Sequence, residues 1–310
     1  MKVGVIGVGS MGRHHARIYA EMPHVELVGL ADPDRARVAE MACMYGTRPY
    51  GDPRDLLREG PDAVSIAVPT TLHKSVALAA IEKGVNVLIE KPIADTIQNA
   101  DKIIEAAEER GVKLLVGHVE RHNPAVVRLK EVIAEGQLGD IISISAKRVG
   151  PYNPRVRDVG IVLDLATHDI DVMCHLCGEE VEEVYALAGS VVHGHEDHAI
   201  VMLKFGNGVS GVVETNWLTP HKVRTLTVIG SKGIAEVDYL RKSLTLFDKE
   251  WVREAKVEEG EPLRLELERF VDCVQHQTPP RVTGKEARQA LSIAFAATES
   301  YKTGRVCRLK

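Results

Sequence analysis

The chain reads as an α/β protein in two parts, a doubly wound domain over residues 1–120 and an α+β domain over residues 121–310. Three observations predict this. Apolar runs with little polar alternation recur between helix-like stretches in the first part, as strands of a parallel sheet buried on both faces do. A glycine-rich turn follows the first of those runs. Beyond residue 120 the pattern changes to short strand-like runs joined by tight turns. A chain of 310 residues is also long enough for two cores.

The first part's apolar runs are Val3 to Ile6, Val25 to Ala31, Ala63 to Val68, Val85 to Ile89 and Leu114 to Val116. Helical periodicity occupies Gly12 to Glu21, Asp34 to Tyr45, Leu72 to Lys83 and Thr96 to Arg110. The second part opens with helical stretches near Pro124 to Glu135 and Ile161 to Leu176. Strand-like runs follow at Val184 to Ala188, Ala199 to Phe205, Val209 to Trp217, Thr225 to Ile229, Ala235 to Tyr239 and Leu244 to Phe247. Gly206-Asn207-Gly208 and Gly230-Ser231-Lys232-Gly233 are hairpin turns by composition. Two helices, near Leu263 to His276 and Gly284 to Tyr301, close the chain and are free to pack back on the first domain.

Composition excludes several function classes. The net charge of 39 − 44 = −5, with both signs interspersed, leaves no electrostatic footprint for nucleic acid. No apolar run approaches the ~20 residues that a membrane span needs. Met1 and Lys2 run straight into VGVIGVG without the apolar region of a secretory signal, so a cytoplasmic location is expected. The five cysteines, at 43, 174, 177, 273 and 307, form no disulfide framework. Cys174 and Cys177 have CxxC spacing, but Gly178 behind them resembles a helix stop and no second pair completes a zinc site.

Gly7-Val8-Gly9-Ser10-Met11-Gly12 is a GxGxxG turn that leaves a strand, opens a helix and is followed, 20 residues after Gly12, by Asp32 at the end of the next strand. That context points to a dinucleotide. Gly7 permits the tight turn, Gly9 admits the pyrophosphate, and Gly12 lets the helix approach the sheet; Ser10 and Met11 complete the cradle. The Asp32 carboxylate would accept the adenosine ribose hydroxyls and repel a 2′-phosphate, which favours NAD over NADP, although Arg35 and Arg37 lie close by. Glu90-Lys91-Pro92 ends the strand Val85 to Ile89, on the side where ligands of open α/β sheets bind.

With GVGSMG, the segments AVPTTLH at 67–73, EKP at 90–92, GHVERHNP at 117–124 and DLATHDID at 164–171 resemble, in order and spacing, the Gfo/Idh/MocA oxidoreductase family over essentially the whole chain. The resemblance implies an N-terminal Rossmann domain carrying NAD(P). It also implies a C-terminal domain with a large open, mostly antiparallel sheet that binds a sugar or cyclitol and builds a homodimer or homotetramer. Lys91 falls on the family's EKP lysine, and Asp164 and His168 on its D-x-x-x-H motif. Pro69, Thr70, Leu72 and His73, with Glu90 and Lys91, would line the cofactor. Within the family, GHVERHNPAV and RVGPYNPRVRDVGIVLDLATHDID look most like the sugar-nucleotide 3-dehydrogenases, which oxidise the C3 hydroxyl of UDP-N-acetylglucosamine or its uronic acid.

Oxidising a secondary alcohol requires a hydride acceptor and a group for the hydroxyl proton. A histidine suits the proton because its ordinary pKa, about 6.5, lies near the operating pH. Asp164 and His168 are one helical turn apart and Asp171 lies three residues on, so a helix over 161–176 would align them. His168 is therefore the expected base, Asp164 a substrate-binding and orienting group, and Lys91 a donor to the same hydroxyl, with Asp171 a weaker support for the histidine. His118, Arg121 and Asn123 are further candidates for the substrate, and Arg155 and Arg157 for a substrate diphosphate. His175 continues the stripe, but a metal on His168, Asp171 and His175 would occupy the proton acceptor, so none is expected. Two other readings stay open: an NAD(P)-dependent dehydrogenase of a free sugar or inositol, and a non-catalytic NAD-responsive regulator.

Overall fold

The computed structural model describes residues 1–152, 159–192 and 194–309, and the chain divides into two compact units. The first unit comprises Met1–Val119 and Leu263–Arg288, and the second Glu120–Pro262 and Gln289–Lys310. Among the described residues, no helix is long and apolar enough to cross a membrane.

In the first unit the elements run β1 (Lys2–Ile6), α1 (Gly12–Glu21), β2 (Glu26–Ala31), α2 (Arg35–Tyr45), β3 (Pro49–Tyr50), α3 (Pro53–Arg58), β4 (Ala63–Ile66), α4 (His73–Ile81), β5 (Asn86–Glu90), α5 (Ile97–Arg110) and β6 (Leu114–Gly117). The six strands pair in parallel in the order β3-β2-β1-β4-β5-β6. That is the doubly wound Rossmann order, in which the strand sequence reverses at β1. Periodicity misses β3 and α3: a two-residue strand and a six-residue helix are too short to show a period, although Asp52 caps α3 and Pro53 starts it.

A helix from the far end of the chain completes this unit's core. Leu267, Phe270 and Val271 of α8 (Pro262–His276) lie in one buried cluster with Val3, Ile18, Tyr19 and Leu88. Each such side chain contributes about 1.5–3 kcal/mol by leaving water.

The second unit contains α6 (Pro124–Ala134), β7 (Ile141–Pro151), a π-helical turn over Val162–Ala166 that leads into α7 (Thr167–Cys177), and then β8 (Val181–Gly189). Next come β9 (His198–Phe205), β10 (Ser210–Asn216), β11 (Leu218–Gly230), β12 (Ile234–Asp238), β13 (Ser243–Phe247) and β14 (Val252–Ala255). After α8, α9 (Gly284–Thr303) and β15 (Cys307–Arg308) end the chain. The sheet has nine strands in the order β14-β13-β12-β11-β7-β10-β9-β8-β15. The two expected hairpins form, β9 with β10 and β11 with β12, but β7 pairs in parallel with β10, so the sheet is mixed.

Apolar runs miss β7 altogether, because its sequence alternates: Ile144, Ala146 and Arg148 point inward while Ser145 and Lys147 are exposed. An alternating strand with serine, lysine and arginine has no apolar run, only a period of two. The inward face supports one cluster that includes Ile144, Val213, Leu226, Ile170 and Met173. On the opposite face Leu187, Ile200, Met202 and Val212 are exposed.

Candidate active-site residues

The glycine turn of the first unit shows why each glycine is there. Gly7 has φ = 85°, and a side chain on it would stand 2.6 Å from the Ala67 carbonyl oxygen. A side chain on Gly12 would overlap the Gly7 carbonyl oxygen, whereas nothing lies within 4 Å of one on Gly9. The two outer glycines are demanded by the protein itself, and the middle one leaves open space. The Met11 side chain makes no cap at the start of α1, and the first turn holds no acid, which suits the phosphates of a dinucleotide.

Asp32 is 5% exposed. Its Oδ2 accepts from the Val8 N–H at 2.9 Å, and its Oδ1 from the Asp34 N–H at 2.9 Å and Arg37 Nη2 at 2.8 Å. Burial alone would raise this carboxyl; the bonds from Arg37, Val8 and Asp34 outweigh it and hold the group below the usual carboxylate range. Arg37 is thus engaged by the acid. Replacing Asp32 by serine should raise KM for NAD roughly tenfold and lower KM for NADP, because the repelling charge goes and Arg37 is released. Initial rates with each cofactor check this; an unchanged preference would refute the role of Asp32.

The EKP turn is braced from within the same unit. Glu90 accepts from His15 Nε2 of α1 through Oε1 at 2.9 Å, and its Oε2 takes the Lys91 N–H at 3.3 Å. Burial would raise the Glu90 carboxyl, but His15 and then the Lys91 charge bring it below its ordinary value. The Lys91–Pro92 peptide is cis. Just after β4, Pro69 and Leu72 are exposed and Thr70 half-buried in a short 3-10 turn.

His73 departs from the expectation that its side chain faces a cofactor. The ring is 1% exposed, with Nδ1 2.9 Å from the Pro92 carbonyl oxygen and Nε2 3.0 Å from that of Val68. Burial lowers its pKa, and both ring nitrogens are directed at backbone, so the imidazole links the β4 exit to the EKP turn. His118, at the end of this unit, is 3% exposed.

In the second unit, the segment around His168 is not one regular helix. The Thr167 N–H reaches back to the Val162 carbonyl, the i→i−5 bond of a π turn, so Asp164 sits in a widened turn and His168 in the first turn of α7. Asp164 and His168 are both half-buried. Gly178 ends α7 in the left-handed conformation (φ 73°), as its position predicts, and Lys130 Nζ caps the last carbonyls through His175 O at 2.6 Å and Leu176 O at 3.3 Å.

Asp171, expected to support the histidine, is engaged by an arginine. It accepts a two-point bond from Arg121, Nε to Oδ2 at 2.7 Å and Nη2 to Oδ1 at 2.6 Å, with both residues about 1% exposed. Arg121, expected at a substrate, is held inside the fold by this fork. Asn123 likewise has local tasks: its Oδ1 caps α6 at Ala125 and its amide donates to the Tyr239 carbonyl at 3.2 Å. Arg155 and Arg157 lie outside the described residues.

A polar network that periodicity does not reveal surrounds α7. Arg148 of β7, 1% exposed, donates to Asp169 at 2.6 and 3.0 Å and to Glu120 at 2.9 Å, and stacks 5.0 Å from the centre of the Tyr239 ring. Burial alone would lower the guanidinium pKa; the carboxylates of Asp169 and Glu120 more than offset that and hold it well above its ordinary value. Cys174 is pushed up to about 12 by burial, which suits an inert thiol rather than a redox one. Among the described residues no group of three His, Cys, Asp or Glu is arranged to hold a metal ion.

The first unit's strand order and glycine turn define a dinucleotide-binding protein. Comparison with known proteins makes the class specific: residues 1–118 match an oxidoreductase family with an NAD-binding Rossmann fold, Gfo/Idh/MocA, and residues 126–236 match that family's C-terminal domain. The chain belongs to the Gfo/Idh/MocA family of NAD-binding oxidoreductases. It is 31% identical to UDP-N-acetylglucosamine 3-dehydrogenase of Acidithiobacillus ferrooxidans over 95% of each chain. The solved structure of that enzyme matches with a TM-score of 0.91 over 98% of both chains. Myo-inositol 2-dehydrogenase of Thermotoga maritima is 29% identical over 100% of this chain and 99% of its own. The scyllo-inositol 2-dehydrogenase (NAD(+)) of Bacillus subtilis is 28% identical over 98% and 95%.

Proposed function

We propose that the protein oxidises a secondary hydroxyl of a sugar nucleotide with NAD, at C3 of UDP-N-acetylglucosamine or its uronic acid. The observation that carries this reading is the full-length similarity to a UDP-N-acetylglucosamine 3-dehydrogenase, together with a lysine, an aspartate and a histidine at the EKP and D-x-x-x-H positions. Bound NAD supplies the hydride acceptor. Lys91 donates a hydrogen bond to the reacting hydroxyl and stabilises alkoxide character as the proton leaves. His168 takes that proton, and Asp164 binds and orients the sugar. Pro69, Thr70, Leu72 and the Glu90-Lys91 backbone flank the nicotinamide and its ribose, with Gly7 to Gly12 and Asp32 on the rest of the cofactor. The second reading, a free cyclitol dehydrogenase, is supported by the inositol dehydrogenases, whose identities of 28% and 29% lie close to 31%.

Incubation with NAD and a panel of UDP-sugars, myo-inositol and glucose, followed by NADH absorbance and mass analysis for a 3-keto product, separates the two. Parallel tubes with 2-oxoglutarate report whether bound NADH is reoxidised in place. Activity on inositol with none on any UDP-sugar would replace the first reading by the second.

The proposal includes a homo-oligomer built on the open sheet face. Leu187 stands opposite Ile200 in the β8–β9 register and Met202 opposite Val212 in β9–β10, so four exposed apolar side chains are contiguous. A second copy of the same face covers them. Ile200→Lys combined with Met202→Glu should at least halve the mass measured by light scattering, and an unchanged mass would place the interface elsewhere.

A further inference from the structure

Arg121 and Arg148 are each gripped by carboxylates; among the described residues Arg224 is not. It lies in β11 directly opposite Arg148 in the β11–β7 register. Leu226 and Val228, two and four residues on, are fully buried, so Arg224 continues the sheet face that carries the core. Arg224 is half-buried and near enough to Glu120, Asp169 and Asp164 for their charges to act on it, yet its guanidinium has no hydrogen-bond or ion-pair partner among the described residues. Glu120 and Asp169 are already bonded to Arg148. Burial, and then the Arg148 charge, lower its pKa.

A half-buried cation with no carboxylate of its own among the described residues, beside a second cation, is an unfavourable arrangement for a fold to keep. It is of use where a ligand supplies the missing acceptors. The guanidinium is a planar fork that matches carboxylate and phosphate oxygens two at a time. We infer that Arg224 receives an acidic group of the substrate, a carboxylate or a phosphate, next to the sugar that Asp164 binds. This rests on the reading of Asp164 as a substrate residue. It also sets the two substrate readings apart, since a neutral cyclitol would leave the fork unfilled.

The test is calorimetric titration of the NADH-loaded protein with UDP-N-acetylglucosamine, its uronic acid, free glucuronate and myo-inositol. Arg224→Met should raise Kd for anionic ligands by about 10²-fold relative to any change for myo-inositol, and Arg224→Lys should recover part of the loss. Loss confined to the two uronates identifies a carboxylate as the partner; loss with both UDP-sugars identifies a phosphate. The melting temperature of Arg224→Met should stay level or rise, because a poorly paired, half-buried charge is removed. Anion affinities within threefold of wild type, or a wild-type protein that binds inositol and none of the three anions, would overturn the inference. Wild-type turnover in Lys91 and His168 variants would instead overturn the catalytic reading beneath it.

Discussion

Converting His168 to asparagine is expected to lower turnover by about 10²–10⁴-fold, the usual contribution of a positioned general base. The affinity for NADH, followed by its fluorescence, should change by less than threefold, since the nucleotide turn lies in the first unit and His168 in the second. Lys91→Met should lower turnover by a similar order, because it removes the donor that stabilises the alkoxide. If either variant turns over at the wild-type rate, that residue is not handling the reacting hydroxyl. A variant that lost NADH binding in parallel would point to damage to the nucleotide unit instead.

The second large effect is on stability. Arg148→Met should destabilise the protein by about 3–5 kcal/mol, because Asp169 and Glu120 would be left buried without their cation. For a unit of this size that corresponds to a fall in melting temperature of roughly 10 °C. Combining Arg148→Met with Asp169→Asn should cost less than the sum of the two, since the second change removes one of the stranded charges. A single-variant melting temperature within about 2 °C of wild type would mean that water reaches these carboxylates and the bond is of little consequence. The same calculation applies to Arg121 and Asp171, so α7 is held at residues 169 and 171, immediately after His168.

How much of this is legible beforehand follows from where each constraint acts. The left-handed turn at Gly7 and the close approach at Gly12 are local, and local spacing is what a sequence displays: Gly7 has φ = 85°, and the clash with the Gly7 carbonyl at Gly12 is five residues away. The stop at Gly178 is legible for the same reason. The Arg121 fork on Asp171 is not, because its two ends lie 50 residues apart, while the spacing of three from His168 points only to the histidine. Arg148 sits in a strand that no apolar run marks, and only the fold brings it to Asp169, 21 residues away. His73 carries the right motif letter, but only the fold shows that its ring is directed at two backbone carbonyls. The π turn over VLDLA has no sequence mark at all: its residues fit an ordinary helix.

The place of α8 in the first unit's core also constrains how the protein is made. Val3, Ile18 and Tyr19 emerge from the ribosome early, but Leu267 and Phe270, which cover them, come some 250 residues later. The nucleotide unit therefore has no complete interior until α8 has been made. A nascent chain stalled near residue 260 would expose apolar surface on an otherwise formed sheet, a natural target for a holdase chaperone.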